Sequence, residues 1–439
     1  MESSGEACEK RVMNQHSASQ TVQIARKNML GGKRMDFTPT VLVAATMDTK
    51  AEEAAYVRAC LGEVDVKTLL MDVGIIGRSP IDVDVSRDAV VRAAGYALTD
   101  VQDLKHEGRA SRVMIAGATR LAQELYREGR INALVGLGGS VGTDICTAVM
   151  RAFPVGFPKV MISTLASHDV RPFVGTKDIL MFPTICDLNG VNRILKKILK
   201  NAALAAAGMA RQTFQQNGDA RPLVFIGTLG TSEPSALRIK QAIEAKGREV
   251  IIFHTTGVGG QAMEEMIREG QADIVVEISA QELVAHLLDG DYDAGPDRLS
   301  AALQRGVPTL LVPGCTDFIV CGPLGIAQKQ FPNRQYHRHN AAITAIRTLH
   351  EESEMVARAM AKLCNEAKGP RAVAVPLGGF SGFDRPEGPL YDPEAPKIMT
   401  EVFRKMLGPE TSLHVSPRHI NDPEFGELLI DIVRSWIKD

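Results

Sequence analysis

The second half of the chain repeats the order of segments found in the first half. Each half begins with an apolar run and a Thr-x-x-Thr turn, at Val41–Thr49 and at Leu223–Thr231. Apolar runs of this kind are typical of strands buried on both faces of a parallel sheet. A repeat over several segments predicts two α/β domains of related topology, whereas chance similarity among βα units is the alternative. Later corresponding segments are Leu70–Gly74 with Ile252–Gly257, Arg127–Gly129 with Arg268–Gly270, and Asn132–Val135 with Asp273–Val276.

The length of 439 residues favours two domains. A long helix is predicted over Asn189–Ala210, and the polar stretch Gln215–Arg221 then interrupts the pattern. We therefore expect a disordered extension or an over-long start at 1–37, a Rossmann-like nucleotide-binding domain at 38–214 and a second Rossmann-like α/β domain at 215–439. Both domains should contain mostly parallel sheets, with a cleft between them.

Composition argues against several classes of protein. The net charge of −2 gives no support for nucleic-acid binding or for a basic membrane-binding surface. No apolar run approaches the ~20 residues of a membrane span. The seven cysteines include no Cys-x-x-Cys pair, which favours a reducing compartment such as the cytoplasm. A transit peptide is disfavoured, because the polar segment before Phe37 carries Glu2, Glu6 and Glu9.

A strand, a glycine turn and a helix start follow one another within Asn132–Thr147. Ala133–Leu137 predicts a short buried strand, and Thr143 stands near the start of a segment with helical spacing. Glycines let backbone N–H groups approach an anion, and a helix N-terminus adds partial positive charge. The turn therefore predicts a phosphate site, with an ordinary tight βα connection as the alternative. Its candidate contacts are Gly138, Gly139, Ser140, Gly142 and Thr143.

Other loops supply further candidate cofactor-binding residues. Most follow predicted strands, whose carboxyl ends border the ligand crevice of doubly wound sheets. A full Walker motif and a full Gly-x-Gly-x-x-Gly fingerprint are both absent, which disfavours an ordinary P-loop protein and NAD. Gly117–Arg120 is interpreted as a loop that breaks the helical stretch Ala110–Arg127. The candidates are Asp48, Thr49, Lys50, Gly117, Thr119, Arg120, Ser163, Thr164, Ser167, Gly257, Gly259 and Gly260.

Histidines in the second half are the candidates for acid–base chemistry. His337 and His339 would share one face of an extended segment that precedes a long helix predicted over Ala341–Lys368. His419 and Asp317 complete this set, and Asp317 lies in a predicted loop, Gly314–Pro323. A zinc or manganese site is one alternative, but hydrogen-bonding or general-base roles fit these residues better. No Gly-x-Ser-x-Gly nucleophile motif is present.

Many of these segments together resemble the family of the tomato mosaic virus resistance protein, whose N-terminal half is called an ATP-binding domain. The resemblance implies two Rossmann-like domains, ATP as ligand with magnesium as its companion, and a homodimer. The reaction stays open among an ATP-binding protein of unknown reaction, a metabolic enzyme that uses its histidines on a small phosphorylated or carboxylated substrate, and a protein-binding module with ATP as a structural ligand. The segments that carry it are Thr46–Lys50, Gly117–Arg120, Gly138–Thr143, Ser163–Ser167, Asp187–Arg193, Thr255–Gly260, His337–Asn340, Gly388–Pro393 and His419–Pro423.

Overall fold

The computed structural model describes residues 38–104, 106–212 and 221–437. The extension predicted at 1–37 lies outside the described residues. The chain divides into two compact units: of the described residues, the first unit comprises 38–174 and 178–212, and the second comprises 175–177 and 221–437.

The first unit is built on a five-stranded parallel sheet in the order β2-β1-β3-β4-β5. Its strands are β1 (Thr40–Ala45), β2 (Lys67–Asp72), β3 (Ala133–Gly138), β4 (Lys159–Ser163) and β5 (Leu180–Pro183). Its helices are α1 (Met47–Gly62), α2 (Arg87–Ala93), α3 (Leu98–Asp103), α4 (Glu107–Arg127), α5 (Ser140–Arg151), α6 (Arg171–Val174) and α7 (Arg193–Ala210).

Successive side chains of β1 enter two different cores. Val41 and Val43 pack in the core that also contains residues of α1 and α7. Leu42 and Ala44 belong to the opposite core, with residues of α2, α4 and α5. Because side chains alternate along a strand, a strand covered on both faces must be apolar throughout. The predicted parallel α/β architecture is therefore confirmed in this unit.

The interpretation of Gly117–Arg120 as a loop is wrong. These residues lie inside α4, which runs without a break from Glu107 to Arg127. A Cβ atom on Gly117 would lie only 1.8 Å from the carbonyl oxygen of Val90, so glycine is needed where α4 approaches α2. Backbone N–H groups inside a helix are already hydrogen-bonded. The proposed roles of Gly117, Thr119 and Arg120 in a phosphate loop therefore lose their basis.

The second unit contains a six-stranded parallel sheet in the order β14-β13-β9-β8-β6-β7 and a three-stranded antiparallel sheet in the order β10-β12-β11. Its strands are β6 (Leu223–Thr228), β7 (Glu249–His254), β8 (Ile274–Ser279), β9 (Thr309–Gly314), β10 (Phe318–Cys321), β11 (Tyr336–Arg338), β12 (Thr344–Arg347), β13 (Arg371–Pro376) and β14 (Thr411–Ser416). Its helices are a 3-10 turn at Gly230–Ser232 and α8 (Glu233–Glu244), α9 (Val258–Arg268), α10 (Gln281–Leu288), α11 (Ala301–Arg305), α12 (Leu324–Gln330), α13 (His350–Asn365), α14 (Ala395–Met406) and α15 (Pro423–Ser435).

The small antiparallel sheet corrects two predictions. The stretch predicted as a loop at Gly314–Pro323 contains β10, and the helix predicted from Ala341 begins only at His350. Thr344–Arg347 instead forms β12, the central strand of this sheet, which pairs on both sides and is buried. Pairing with the nearby β11 and with the more distant β10 overrides the local helical pattern here.

The sheets confirm the repeat. In both units the second strand and the third strand flank the first, and the later strands follow in chain order. None of the helices in the described ranges is long and apolar enough to cross a membrane.

Replacing glycine by alanine should have opposite effects on stability at Gly117, where α4 contacts α2, and at Gly208, where there is open space. We expect Gly117→Ala to lower the free energy of unfolding by about 1–3 kcal/mol, because the added methyl group overpacks against Val90. Gly208→Ala is the matched control in α7, where an added Cβ meets nothing within 4 Å. It should raise stability by up to ~1 kcal/mol, since alanine favours the helix. Chemical denaturation measures both, and a neutral Gly117→Ala would contradict the packing role.

Candidate functional site

The strand order of the first unit creates a crevice at the carboxyl end of its sheet. The chain passes from β1 to β2 on one side, whereas β3 lies on the other side of β1. Connections that leave adjacent strands in opposite directions leave a space between them, and ligands of open α/β sheets bind there. The turn after β1 comprises Thr46–Lys50, which enters the first turn of α1 and contains Asp48 and Thr49. The turn after β3 comprises Gly138–Gly142, which joins the end of β3 to the start of α5 and contains Gly138 and Gly139.

A cavity of about 530 Å³ lies at this position. Most of its wall is apolar, and its polar groups come mainly from the turn after β1 and from the segment before α4. Ile76 is 86% exposed, so an apolar side chain is presented to solvent at the cavity. The lining residues are Thr46, Asp48, Thr49, Ile75, Ile76, Val101, Gln102, His106, Ala110 and Val141.

Hydrogen bonds fix the turn after β1 at the wall of this cavity. The buried carboxylate of Asp72 accepts hydrogen bonds from the N–H groups of Met47 (3.1 Å) and Gly74 (2.8 Å). Burial raises the pKa of Asp72, with a smaller contribution from the nearby Asp48. Asp48 Oδ2 accepts from the N–H of Gly77 at 2.9 Å, which connects this turn to the loop after β2.

Thr49 and Lys50 differ in their relation to the cavity. Thr49 lines it, and its hydroxyl lies 3.1 Å from that of Thr46. Lys50 does not line the cavity; its Nζ donates to the carbonyl oxygen of Thr49 at 3.2 Å. Lys50 also has non-helical backbone angles (φ −126°, ψ 18°) within the first turn of α1. The sequence placed this segment after a strand correctly, but the loop expected at Thr46–Lys50 belongs to the first turn of α1 from Met47 onward. The sequence also could not show which side chains face the cavity.

The three glycines of the turn after β3 have different surroundings. A Cβ on Gly138 would lie 2.7 Å from Gly142 Cα, and one on Gly142 would lie 3.3 Å from the carbonyl oxygen of Leu137. These two glycines permit close packing of strand against helix. Gly139 has an ordinary φ of −78°, and a Cβ there would meet only Thr164 Oγ1, at 3.9 Å. The space at Gly139 is therefore open.

Gly139 is also the residue that precedes α5. It has no side chain that could accept a hydrogen bond from the first turn, and Ser140 beside it is exposed. The first N–H groups of any α-helix have no partner within the helix, and they attract anions. Because α5 is 12 residues long, its N-terminus carries a substantial partial charge. Gly139 and Ser140 therefore form an uncapped helix start, and anion binding there stays a prediction.

Thr143 and Ser163 are buried beneath this turn. Their hydroxyl oxygens lie 2.7 Å apart, and Ser163 Oγ also accepts from the N–H of Leu165 at 2.9 Å. Both residues are fully buried. They connect the turn after β3 to the turn after β4, so they support the site without facing a ligand.

Thr164 and Ser167 line a second cavity of the first unit. Its volume is about 300 Å³, and its other walls come from the segment after β5. Thr164 is also the nearest neighbour of the open space at Gly139. Residues within and next to the glycine turn therefore line both cavities: Val141 lines the larger one, and Thr164 lines the smaller one.

The second glycine loop, Gly257–Gly260, already holds an anion from the protein itself. Glu282 Oε1 accepts hydrogen bonds from the N–H groups of Gly257 (2.6 Å) and Gly260 (3.1 Å), and Glu282 is 1% exposed. Gly257 has a φ of +94°, which favours glycine, and a Cβ on Gly259 would clash with the carbonyl oxygen of His254. The geometry is that of an anion loop, but the prediction of a phosphate site at Gly257, Gly259 and Gly260 is corrected.

A buried ion cluster holds Glu282 in that loop. The guanidinium of Arg298, which is 1% exposed, contacts Glu282 at 2.5 Å, Glu277 at 2.5 Å and Glu264 at 3.0 Å. Burial raises the pKa values of Glu264 and Glu282. Burial lowers the pKa of Arg298, but the three carboxylates outweigh it and raise that pKa well above the ordinary value. Arg298 therefore stays charged and holds the Glu282 carboxylate in the glycine loop, where a bound anion would otherwise lie.

The four candidate acid–base residues occupy two places in the second unit. The ring of His337 packs on Phe383 with 4.5 Å between centroids, and His339 lines a cavity near the same phenyl ring. His419 Nε2 donates to the carbonyl oxygen of Ser381 at 2.9 Å, and its Nδ1 accepts from the N–H of Asn421. Both nitrogens of His419 are therefore engaged, which indicates a structural role.

Asp317 lies with His419 near Ser381 and is fully buried. Its Oδ2 accepts from Ser381 Oγ at 2.6 Å. Burial, reinforced by Asp384, raises the pKa of Asp317 to about 7, although Arg347 opposes the shift. The described residues contain no cluster of three or more histidine, cysteine, aspartate or glutamate residues able to hold a metal.

Two protein-family models match this chain, one over each of its two units. The model described as the N-terminal domain of the uncharacterised protein family UPF0261 matches residues 39–215, and the model of its C-terminal domain matches 221–437. The chain belongs to the UPF0261 family. A UPF0261 protein of Clostridium tetani is 34% identical over 88% of this chain and 96% of its own length.

The predicted resemblance to tomato mosaic virus resistance proteins is confirmed. A ToMV resistance protein and a ToMV susceptible protein of Solanum lycopersicum are each 29% identical over 90% of this chain. This UPF0261 chain spans 55% of the length of either tomato protein. Among solved structures, MurG of Acinetobacter baumannii covers 90% of the chain at 12% identity, with a TM-score of 0.23 that supports no comparison of function.

The raised pKa of Asp317 predicts a pH dependence of stability. A carboxyl whose pKa rises on folding contributes stability below its unfolded pKa of about 3.8, and this contribution is lost as the pH rises through its folded pKa of about 7. Asp317→Asn keeps the shape and removes the titration. The melting temperature of the variant relative to the wild type should therefore increase between pH 4 and pH 7, the window those pKa values set.

Asp431→Asn in α15 is the control, because the Asp431 side chain is 75% exposed. It should leave the pH profile of melting temperature unchanged. Profiles of Asp317→Asn and wild type that run parallel would show that Asp317 is ionised throughout this range, which contradicts the assignment.

Proposed function

We propose that the first unit binds ATP at the carboxyl end of its sheet. The observation that carries the proposal is the turn at Gly139, where the N-terminus of α5 has no capping side chain and an added Cβ would meet only Thr164 Oγ1. Val141 in the same turn lines the larger cavity, and Thr164 lines the smaller one. Phosphates would accept hydrogen bonds from the backbone N–H groups of the first turn of α5. The UPF0261 family assignment and the similarity to tomato proteins are compatible with this proposal.

The larger cavity suits the adenosine part of the ligand. Its volume of about 530 Å³ falls in the ordinary range of small-molecule sites, ~300–1,000 Å³. Ile75, Val101 and Val141 offer apolar walls for a purine ring. Gln102 also lines the cavity; its Nε2 donates to the carbonyl oxygen of Ile75 at 3.1 Å, and its amide oxygen offers an acceptor. Asp48 is the carboxylate of this cavity, so a magnesium ion that accompanies the phosphates would bind there.

The second unit differs from the first in a way that favours the first as the place where phosphates bind. Its own glycine-led helix start, at Gly257–Gly260 after β7, is filled by the carboxylate of Glu282. The predicted homodimer stays a prediction. The six described free cysteines accord with a reducing compartment, and we propose the cytoplasm.

Two substitutions at Gly139 that differ only in the charge of the new side chain test the phosphate site. Gly139→Asp should cap α5 from within, as Glu282 caps the second unit's glycine loop, and exclude phosphates by repulsion. Gly139→Asn adds a cap of the same size without the charge. An aspartate or asparagine cap changes helix stability by only a few tenths of a kcal/mol relative to glycine, so the fold should tolerate both variants.

Calorimetry with Mg-ATP should give a dissociation constant for Gly139→Asp that exceeds the wild-type value by about tenfold to a hundredfold, the equivalent of a lost charge-assisted hydrogen bond. Gly139→Asn should bind ATP more tightly than Gly139→Asp. Equal affinities for wild type and Gly139→Asp, at unchanged melting temperatures, would place any nucleotide elsewhere.

A metabolic enzyme is the second candidate function. The observation that favours it is His339, which lines a cavity of the second unit together with His254. A catalytic histidine must reach a bound substrate.

A further inference from the structure

The second unit carries a cavity of its own at the corresponding place in its sheet. β6 lies between β7 and β8, so the strand order reverses at β6 as it does at β1 in the first unit. The turn after β6, at Leu229–Thr231, lines a cavity of about 190 Å³. Ligands of open α/β sheets bind at this point of reversal.

Aromatic and aliphatic side chains form most of this cavity. Phe318, Val320 and Ala345 come from the small antiparallel sheet, and Phe383 comes from the loop after β13. The antiparallel sheet is separate from the parallel sheet of this unit, and it supplies one wall of the cavity. An apolar cavity of about 150 Å³ admits a benzene ring, so about 190 Å³ suits one aromatic ring with one small substituent.

Two imidazoles and a backbone turn form the polar part of the lining. His254 ends β7, and His339 follows β11; both are exposed side chains that line the cavity. Gly230 and Thr231 begin the 3-10 turn after β6, and an added Cβ on Gly230 would meet nothing within 4 Å. Imidazole N–H groups and the N–H groups of such a turn are donors suited to a carboxylate.

Backbone strain lies directly beneath the cavity. Cys315 has a φ of +58°, which is unusual for a residue with a side chain, and its thiol lies 3.2 Å from Thr231 Oγ1. Cys315 packs in one cluster with Leu229, Phe318 and Val320, three residues that line the cavity. Strained conformations of this kind concentrate at functional sites. This observation is independent of the cavity and points to the same place.

We propose that this cavity binds a small aromatic carboxylate, with the ring against Phe318 and Phe383 and the carboxylate on His254, His339 and the Gly230–Thr231 backbone. The site differs from the nucleotide site and does not depend on it, since all of its residues belong to the second unit. Such a ligand is a single ring with one anionic group, the size and chemistry that the cavity provides.

Saturation-transfer NMR with benzoate and phenylacetate tests the proposal on the full chain. Benzamide is the neutral counterpart of benzoate. We expect saturation transfer to at least one of the two carboxylates and a dissociation constant for benzamide at least about fivefold higher than that of benzoate, because benzamide lacks the charge that the histidines recognise.

Gly230→Leu should fill the cavity and abolish the transfer, with a melting temperature close to that of the wild type, because the position is open. Gly325→Leu is the matched control: Gly325 also has nothing within 4 Å of an added Cβ, but it lies in α12 and does not line the cavity. His339→Gln should weaken benzoate and leave benzamide unchanged. Gly139→Asp should leave benzoate binding unchanged, whatever its effect on ATP.

Three results would overturn the proposal. They are no transfer to either carboxylate, benzoate binding that survives Gly230→Leu, and benzamide binding as tight as that of benzoate. A failure of ATP to bind the wild type would leave these outcomes intact, so the two proposals can fail separately.

Discussion

A first strand that is hydrogen-bonded to neighbours on both sides is the constraint on which each unit depends. β1 pairs with β2 and β3, and β6 pairs with β7 and β8. Such a strand must be apolar on both faces, and the turn that leaves it must end at the point where the sheet order reverses. Burial therefore dictates the sequence of the strand, and topology dictates where the following turn can bind a ligand.

The two units use the same helix-start geometry in different ways. At Gly139 the N-terminus of α5 faces open space, whereas at Gly257 the N-terminus of α9 is satisfied by Glu282. Removing a carboxylate from water is costly unless it is paired and hydrogen-bonded. Arg298 and the two glycine N–H groups meet that requirement for Glu282. The internal carboxylate occupies the helix start after β7, the second strand of its unit, whereas we propose phosphate at the helix start after β3, the third strand of the other.

The sequence was sufficient where the physical cause is local. Val41–Thr46 predicted β1 within one residue, since an apolar run bounded by a turn needs no distant partner to be recognised. The order of strand, glycine and helix at Gly138–Gly142 was predicted for the same reason, although β3 includes Gly138 and α5 begins at Ser140 instead of near Thr143. Both features are local patterns of size and polarity.

The remaining features depend on contacts between distant residues. Gly117 resembles a helix break in the sequence, yet its purpose is the contact with Val90. The strand Thr344–Arg347 lies between its neighbour β11 and β10, and its pairing with β10 joins residues as far apart as Phe318 and Arg347. Glu282 lies 25 positions from Gly257 in the chain, and no motif connects them. Predicting them requires the tertiary structure.

Hydrogen–deuterium exchange with and without Mg-ATP tests the central claim most directly, because it reports on backbone N–H groups of both glycine turns in one experiment. The account predicts that ATP slows exchange at Ser140–Gly142 and leaves Gly257–Gly260 unchanged, since the N–H groups of Gly257 and Gly260 already bind Glu282. Slower exchange at Gly257–Gly260, or no change at either turn under saturating ATP, would contradict it.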